Sequence, residues 1–157
     1  MRLDAEMKAM VERQALGFVA TVCADGTPNL SPKGTVSVWD DETLVFLDLH
    51  SPGTVRNLRE RPAVEINVVD PVVRKGWRFK GVATVLDGGA LFDDVARHFE
   101  RTRGTARSRI HHVVLVSVES AGRLISPAYD DGSSEQKIAA QWRARLLAAH
   151  PEPEPGA

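Results

Sequence analysis

Apolar residues along most of this chain recur at every second position, which is the period of a β-strand. The pattern predicts strands over 16–23, 28–39, 43–48, 63–69, 77–86 and 113–118, with a shorter one over 121–125. In 16–23 both alternating sets of positions are largely apolar, so this strand is predicted to be covered on both faces. The pair Asp25-Gly26 that follows it is typical of a hairpin turn.

The strand over 28–39 separates its side chains sharply by polarity. Polar residues occupy its odd positions, and mostly apolar residues occupy its even positions. Pro32 has no backbone N–H to donate to a neighbouring strand. This proline therefore favours a place at the edge of the sheet or at a bulge.

Apolar residues spaced three to four apart predict helices in the remaining segments. These segments are 2–14, 51–61 and the stretch marked by Leu91 and Phe99. A capping box of Ser133 and Gln136 predicts the start of a last helix. Six or so strands with three or four helices lack the strand–helix repeat of a doubly wound sheet. The pattern therefore predicts a small closed or split barrel, mostly antiparallel, with peripheral helices.

Length and charge narrow the possible functions. The 157 residues predict one domain over 1–150, followed by a disordered tail rich in proline and glutamate over 151–157. A formal net charge of −1 provides no overall field to attract nucleic acid or a membrane surface. The sequence shows no signal-peptide segment and no apolar run of membrane-spanning length, so a soluble cytoplasmic protein is predicted.

Cysteine and histidine usage argues against disulfides and metal sites. Cys23 is the only cysteine and lies in an apolar strand, where it is predicted to be an inert thiol. His111 and His112 are sequence neighbours, so their side chains diverge and cannot share one metal ion. His50 either contacts a ligand or faces solvent. The chain also lacks a Walker loop, a Gly-x-Gly-x-x-Gly motif and a Gly-x-Ser-x-Gly motif.

The segment 51–61 carries the clearest indication of a ligand. Ser51 is a good N-cap residue, and Pro52 suits the first helical position. The amides of Gly53 and Thr54 then lack intrahelical acceptors, and the helix dipole favours negative charge beside them. The segment is therefore predicted to hold an anion, with an ordinary capped surface helix as the alternative.

Cationic residues recur at positions that a barrel could bring together. They are Lys33, Arg56, Arg61, Arg74, Lys75, Arg78 and Lys80. Opposite a helix N-terminus, such residues suit a phosphate monoester, and the alternative is a scatter of solvated charges. A second basic group, Arg101, Arg103, Arg107 and Arg109, lacks the interleaved aromatic residues of a nucleic-acid site. Nucleic acid is therefore not a predicted partner.

Several short motifs follow one another in a characteristic order. They are the runs 18–22, 31–34, 75–81 and 126–130, the turn Asp25-Gly26-x-Pro28, and Asp48 followed by Ser51-x-x-Thr54-x-x-Asn57-Leu58. Their order and spacing resemble the pyridoxamine 5′-phosphate oxidase-like family of FMN-binding split barrels, over roughly residues 10–145. The resemblance implies a mainly β (α+β) fold, a six-stranded antiparallel split β-barrel with peripheral helices. It also implies a homodimer with FMN sites at the subunit interface.

The resemblance further implies which positions contact the cofactor. The strand around 31–35 and the strand end at Asp48 would follow the isoalloxazine ring and the ribityl chain, while the helix start would bind the phosphate. The implied cofactor-binding residues are Ser31, Lys33, Gly34, Thr35, Asp48, Ser51, Thr54, Asn57, Arg78 and Lys80. Tyr129 and Trp142 either reach a neighbouring subunit's site or pack locally, as helical aromatic residues usually do.

One departure from the family pattern limits the function. True pyridoxamine phosphate oxidases carry a Ser-Arg-Lys run where this chain has Pro52, Gly53 and Thr54, so oxidation of vitamin B6 is not predicted. The leading hypothesis is an FMN-dependent oxidoreductase for an unknown small organic substrate, in which Lys33 or Arg78 stabilises the reduced flavin. A deazaflavin-dependent reductase of the same fold and a non-catalytic flavin-binding module are the alternatives.

Overall fold

The computed structural model describes residues 1–151, which form seven β-strands and four α-helices. The strands are β1 (Gly17–Val22), β2 (Pro28–Lys33), β3 (Ser37–Val38), β4 (Thr43–Asp48), β5 (Ala63–Asp70), β6 (Lys75–Leu86) and β7 (His112–Ile125). The helices are α1 (Ala5–Gln14), α2 (Pro52–Glu60), α3 (Ala90–Arg103) and α4 (Glu135–Ala149). Residues 152–157, which hold all but the first position of the predicted tail, lie outside the described residues.

All seven strands form one antiparallel sheet in the order β2-β1-β5-β6-β7-β4-β3. The predicted mainly β split barrel with peripheral helices is confirmed, but the strand number is seven instead of six. The extra strand arises because the segment 28–39 turns at Gly34 and Thr35, which divides it into β2 and β3. β2 lies at the edge of the sheet, the place that Pro32 favours.

The strand β4 is enclosed by two hydrophobic cores. The main core lies inside the curved sheet, where Leu44 and Phe46 of β4 meet apolar residues of α1 and the other strands. A second core lies under α3, where Val45 and Leu47 meet the helix and the start of β7. Because both faces of β4 are buried, its C-terminal end at Asp48 has a rigid support.

The outer face of β1 and β2 is apolar and open in the single chain. Phe18 and Val22 of β1 are 42% and 37% exposed, and Leu30 of β2 is 65% exposed. The prediction that β1 is covered on both faces is therefore wrong for the isolated chain. The polar residues of β2 point to the opposite side, toward the barrel interior, because Ser31 and Lys33 are paired with the buried positions of β1.

The strand β7 is continuous, whereas the sequence predicted two separate strands over this segment. The ladder between β6 and β7 continues through an irregularity at Lys80 and Gly81, so the pairing resumes beyond Glu119 with a shifted register. The start of α4 also differs from the prediction. Ser134 is the N-cap in place of Ser133, since its side chain accepts a hydrogen bond from the amide of Lys137.

A substitution at Gly81 tests the close approach of β6 and β7. A methyl group at this position would overlap the carbonyl oxygen of Ser117. Gly81→Ala is expected to lower the free energy of unfolding by about 1–3 kcal/mol, because a backbone clash in a paired strand cannot be relieved by a side-chain rotation. Gly122→Ala is the matched control, since Gly122 of β7 has open space around it. Urea unfolding measures both changes, and equal stability of the two variants would contradict the model of this contact.

Candidate functional site

Four residues converge where β2, β4 and the start of α2 meet, and we call them the lysine cluster. They are Ser31, Lys33, Asp48 and Ser51. Lys33 is only 5% exposed, and its Nζ donates to the hydroxyl oxygens of Ser31 and Ser51, both at 2.6 Å. Within residues 1–151 the ammonium has no carboxylate as an ion-pair partner. The cluster therefore contains a buried cation with two neutral acceptors and one further N–H to donate.

Burial makes the charged form of Lys33 less favourable. Loss of hydration lowers the pKa of Lys33 from its ordinary value of 10.5, and the negative charge of nearby Asp48 opposes that shift. An anion placed against Nζ would supply the counter-charge that the protein itself provides only from a distance. The arrangement is therefore chemically suited to an anionic ligand.

Ser51 is the N-cap residue of α2, as predicted, but its hydroxyl has a different partner. Its side chain makes no capping hydrogen bond to α2, because Oγ accepts from Lys33 while the Ser51 amide donates to Asp48 Oδ1 at 2.6 Å. The amides of Gly53 and Thr54 have no acceptor among the hydrogen bonds of residues 1–151. Open space lies beside Gly53. The first turn of α2 thus leaves donors for an anion, as predicted from the sequence.

Four other predicted cofactor residues, Gly34, Thr35, Thr54 and Asn57, lie outside the lysine cluster. Thr35 joins β4 through Oγ1, which accepts from the Leu47 amide at 2.9 Å and donates to its carbonyl oxygen at 3.5 Å. The carbonyl oxygen of Gly34 accepts from Arg103. Thr54 and Asn57 are each 3% exposed.

Asn57 connects α2 to β1. Its Nδ2 donates to the Thr21 hydroxyl at 3.0 Å. Together with Thr54, this residue fixes the position of α2 and presents little surface to solvent.

Arg78 and Lys80 lie away from the lysine cluster. Their side chains are on the outer face of β6, where Glu65 pairs with Arg78 at 2.9 Å and with Lys80 at 3.7 Å. Arg74 stacks on Trp142, and Lys75 pairs with Glu135. Of the seven cations grouped from the sequence, Lys33 alone contacts the cluster within the part of the chain that the structure describes.

A cleft of about 520 Å³ lies between α2 and the start of β7, and we call it the α2–β7 cleft. Its walls include Pro52, Val55, Arg56 and Arg59 of α2, together with His111 and His112. Asp48 and Ser51 line the cleft as well, so it adjoins the lysine cluster. Sequence reasoning did not identify this cleft, since its two sides are more than fifty positions apart in the chain.

His112 is held between two carboxylates at the wall of this cleft. Its Nδ1 is 2.7 Å from Oδ2 of the buried Asp48, and its Nε2 is 3.2 Å from Oδ1 of Asp87. The contact with Asp48 follows from strand register, because these two residues are directly paired in the β4–β7 ladder. The sequence shows the histidine but not its partner, because the contact depends on which strands are neighbours in the sheet.

Three further observations concern metals, membranes and local packing. Within residues 1–151, no group of three or more His, Cys, Asp or Glu side chains is arranged to hold a metal ion. None of the described helices has the length and apolar character needed to cross a membrane. Tyr129 donates to the Val73 carbonyl oxygen at 2.7 Å, and Arg74 lies 4.0 Å from the ring centre of Trp142. Both aromatic residues thus pack against their own chain.

Comparisons with known proteins identify relatives of this fold. The family model for pyridoxamine 5′-phosphate oxidase matches residues 3–123. HupZ from Group A Streptococcus is 31% identical, with 79% of this chain and 95% of HupZ covered and a TM-score of 0.70. A candidate pyridoxamine 5′-phosphate oxidase from Lactobacillus delbrueckii is 25% identical over 77% of this chain and 93% of its own, with a TM-score of 0.64.

A more distant structure shares the fold. HutZ, the heme storage protein from Vibrio cholerae, is 24% identical over 80% of this chain and 95% of its own, with a TM-score of 0.63. No curated protein matches the sequence.

The buried Lys33 predicts a specific dependence of stability on pH. Its pKa is lowered in the folded state, so in the alkaline range below 10.5 the unfolded chain binds more protons at this residue. The free energy of unfolding of the wild type, relative to Lys33→Met, is therefore expected to rise as pH increases toward 10.5. Urea unfolding of both proteins at a series of alkaline pH values measures this difference. A difference that stays constant with pH would contradict the burial of a charged ammonium.

Proposed function

The chain belongs to the pyridoxamine 5′-phosphate oxidase family, as its motifs predict, and we propose that it is an FMN-binding flavoprotein. In this proposal it acts in the cytoplasm as a flavin-dependent oxidoreductase on a small organic substrate. Proteins that share the fold alone illustrate the cofactors that such barrels accept. One is an FMN-binding protein from Syntrophomonas wolfei, at 15% identity, and another is an F420 reductase, at 21% identity.

The lysine cluster is the observation that carries this proposal. A phosphate monoester would accept hydrogen bonds from the remaining N–H of Lys33 and from the amides of Gly53 and Thr54. These two amides have no protein acceptor in residues 1–151. The negative charge of the phosphate would offset the cost of burying the ammonium. When bound, FMN supplies the hydride and electron transfer, so the chain needs to contribute only binding, orientation and electrostatics. Oxidation of vitamin B6 is not part of the proposal.

Five of the other predicted cofactor residues fall into two groups by position. Ser31 and Asp48 belong to the lysine cluster, and Thr35 bonds to β4 beside it, so in the proposal these three residues serve the flavin bound by their own chain. Arg78 and Lys80 face outward from β6, so in the proposal they serve the flavin bound by a partner subunit. This division requires a homodimer with flavin sites at its interface.

The apolar outer face of β1 and β2 supports such a homodimer. Phe18, Val22 and Leu30 are exposed side by side on neighbouring strands, and Pro28 and Pro32 of β2 are exposed as well. Contiguous apolar surface of this kind is normally covered by a partner. A two-fold arrangement would cover the same face on both subunits with a single self-complementary contact.

Two alternatives to an FMN oxidoreductase stay open in this proposal. A deazaflavin cofactor carries a longer and more acidic tail than FMN, so a comparison of the two affinities separates these cofactors. A non-catalytic flavin-binding module would bind FMN without turnover. Reduction of the bound flavin by NADH, NADPH or another donor supports an oxidoreductase, and tight binding without reduction by any donor supports the module.

The absorbance spectrum of gently purified protein tests the proposal directly. A flavin spectrum, with FMN identified by mass spectrometry of the released cofactor, is the expected result. Colourless protein that cannot be reconstituted with FMN would contradict the proposal. A Soret band in place of the flavin bands would indicate haem, the ligand that the name of HutZ describes for that protein.

Lys33→Met tests whether the lysine cluster binds the phosphate. The substitution removes a charge-assisted hydrogen bond, so the affinity for FMN is expected to fall by about 10- to 100-fold. The affinity for riboflavin, which has no phosphate, is expected to fall much less in this variant. Titration followed by flavin fluorescence measures both dissociation constants.

Lys137→Met is the control for this experiment, because Lys137 is exposed on α4 and remote from the cluster. The control is expected to bind both flavins as the wild type does. Equal losses of FMN and riboflavin affinity in Lys33→Met would place the phosphate elsewhere.

Leu30→Glu tests the dimer surface. Leu30 is 65% exposed, so the substitution leaves the fold of one chain intact. In a dimer it would bury a carboxylate against apolar residues of the partner, which is expected to raise the dimer dissociation constant by at least about 10-fold. Leu147→Glu, at a position that is 69% exposed on α4, is the control. Sedimentation velocity measures the assembly state, and a wild type that stays monomeric at micromolar concentration would refute the dimer.

A further inference from the structure

The α2–β7 cleft has the dimensions and lining of a small-molecule site. Its volume of about 520 Å³ falls within the range of ligand pockets in proteins. Pro52 and the buried Val55 are its apolar lining residues and the other eight are polar or charged, but most of the surface that faces the cleft is apolar. This is the usual design of a pocket that takes an organic ligand with an apolar body.

The carboxylates beside the cleft are already engaged by the protein. Asp48 accepts from the Ser51 amide and faces His112, and Glu60 pairs with Arg61 at 3.3 Å. Asp87, which holds the other side of His112, also pairs with Arg59. Because these negative charges are satisfied, the cleft offers little to attract a cationic ligand.

The donors at the rim of the cleft remain unused. Arg56, His50 and His111 line the cleft and are exposed, and within residues 1–151 their side chains make no hydrogen bond or ion pair. Arg56 carries a permanent positive charge with a planar fork of N–H groups, which matches the two oxygens of a carboxylate. The free donors at the rim therefore suit an anionic ligand.

We propose that the α2–β7 cleft binds a small organic carboxylate, with its apolar body against Pro52 and Val55 and its carboxylate at Arg56. Ser51 forms a wall of the cleft and also contacts Lys33, so the acid would lie beside the proposed flavin phosphate site. The proposal names the substrate class of the proposed oxidoreductase and rests on that function for the acid's role as substrate. Binding of the acid itself does not require a bound flavin.

Isothermal titration of the purified 157-residue chain with benzoate tests this proposal. Benzoate is expected to bind saturably, and its neutral analogue benzamide to bind at least about 10-fold more weakly, because it lacks the charge that Arg56 recognises. Arg56→Gln is expected to weaken benzoate binding by at least about 10-fold, which corresponds to about 1.4 kcal/mol. The affinity for benzamide is expected to stay the same in this variant.

Arg97→Gln is the matched control, because Arg97 is exposed on α3, pairs with Asp94 and does not line the cleft. Its affinity for benzoate is expected to equal that of the wild type. No saturable benzoate binding, or equal weakening by Arg56→Gln and Arg97→Gln, would overturn the proposed site.

Flavin binding is measured on the same protein samples to separate the two proposals. Benzoate binding in a chain that cannot be loaded with FMN would support the cleft and refute the flavoprotein function. Flavin binding in a chain that does not respond to benzoate would refute the cleft alone.

Discussion

The seam of the split barrel is the constraint on which the rest of this structure depends. β2 ends one side of the sheet and β3, paired to β4, ends the other, and no ladder in the described residues joins the two sides. Side chains of the β2–β3 segment bridge the seam instead. Thr35 bonds both backbone groups of Leu47, and Lys33 reaches Ser51 just beyond β4. A barrel closed by side chains in place of a ladder leaves polar groups inside, where a ligand can use them.

The same seam explains the reversed polarity of β2. Its polar residues face inward because the bridge needs hydrogen-bonding groups, and the strict alternation of a strand then turns Leu30 and its neighbours outward. A buried ammonium and an exposed apolar face are thus two results of one pattern. The anion site and the need for a covering partner are therefore linked, since shifting the register of β2 by one residue would remove both.

Much of the fold could be predicted from local patterns, whereas the site depends on contacts between distant segments. The period of two located the strands, and Ser51 with Pro52 marked the start of α2. Ser51 is the N-cap residue that the sequence predicted, but its hydroxyl accepts from the distant Lys33 instead of capping α2, and nothing in the local sequence indicates that contact. The pairing of Asp48 with His112 likewise exists only once β4 and β7 are neighbours.

Ser51 connects the two anion-receptive regions. Its hydroxyl accepts from Lys33 on one side, its amide donates to Asp48 on the other, and Asp48 in turn contacts His112 at the wall of the cleft. An anion at Lys33 would accept the third N–H of an ammonium that already donates to the Ser51 hydroxyl, so the two sites share a hydrogen-bonded chain. This chain of hydrogen bonds is short, and its carboxylate, Asp48, is buried at the end of a rigid strand. A shift of the groups at one end would therefore displace the groups at the other end. The two sites would then be energetically coupled, with each ligand changing the affinity of the other by the same factor.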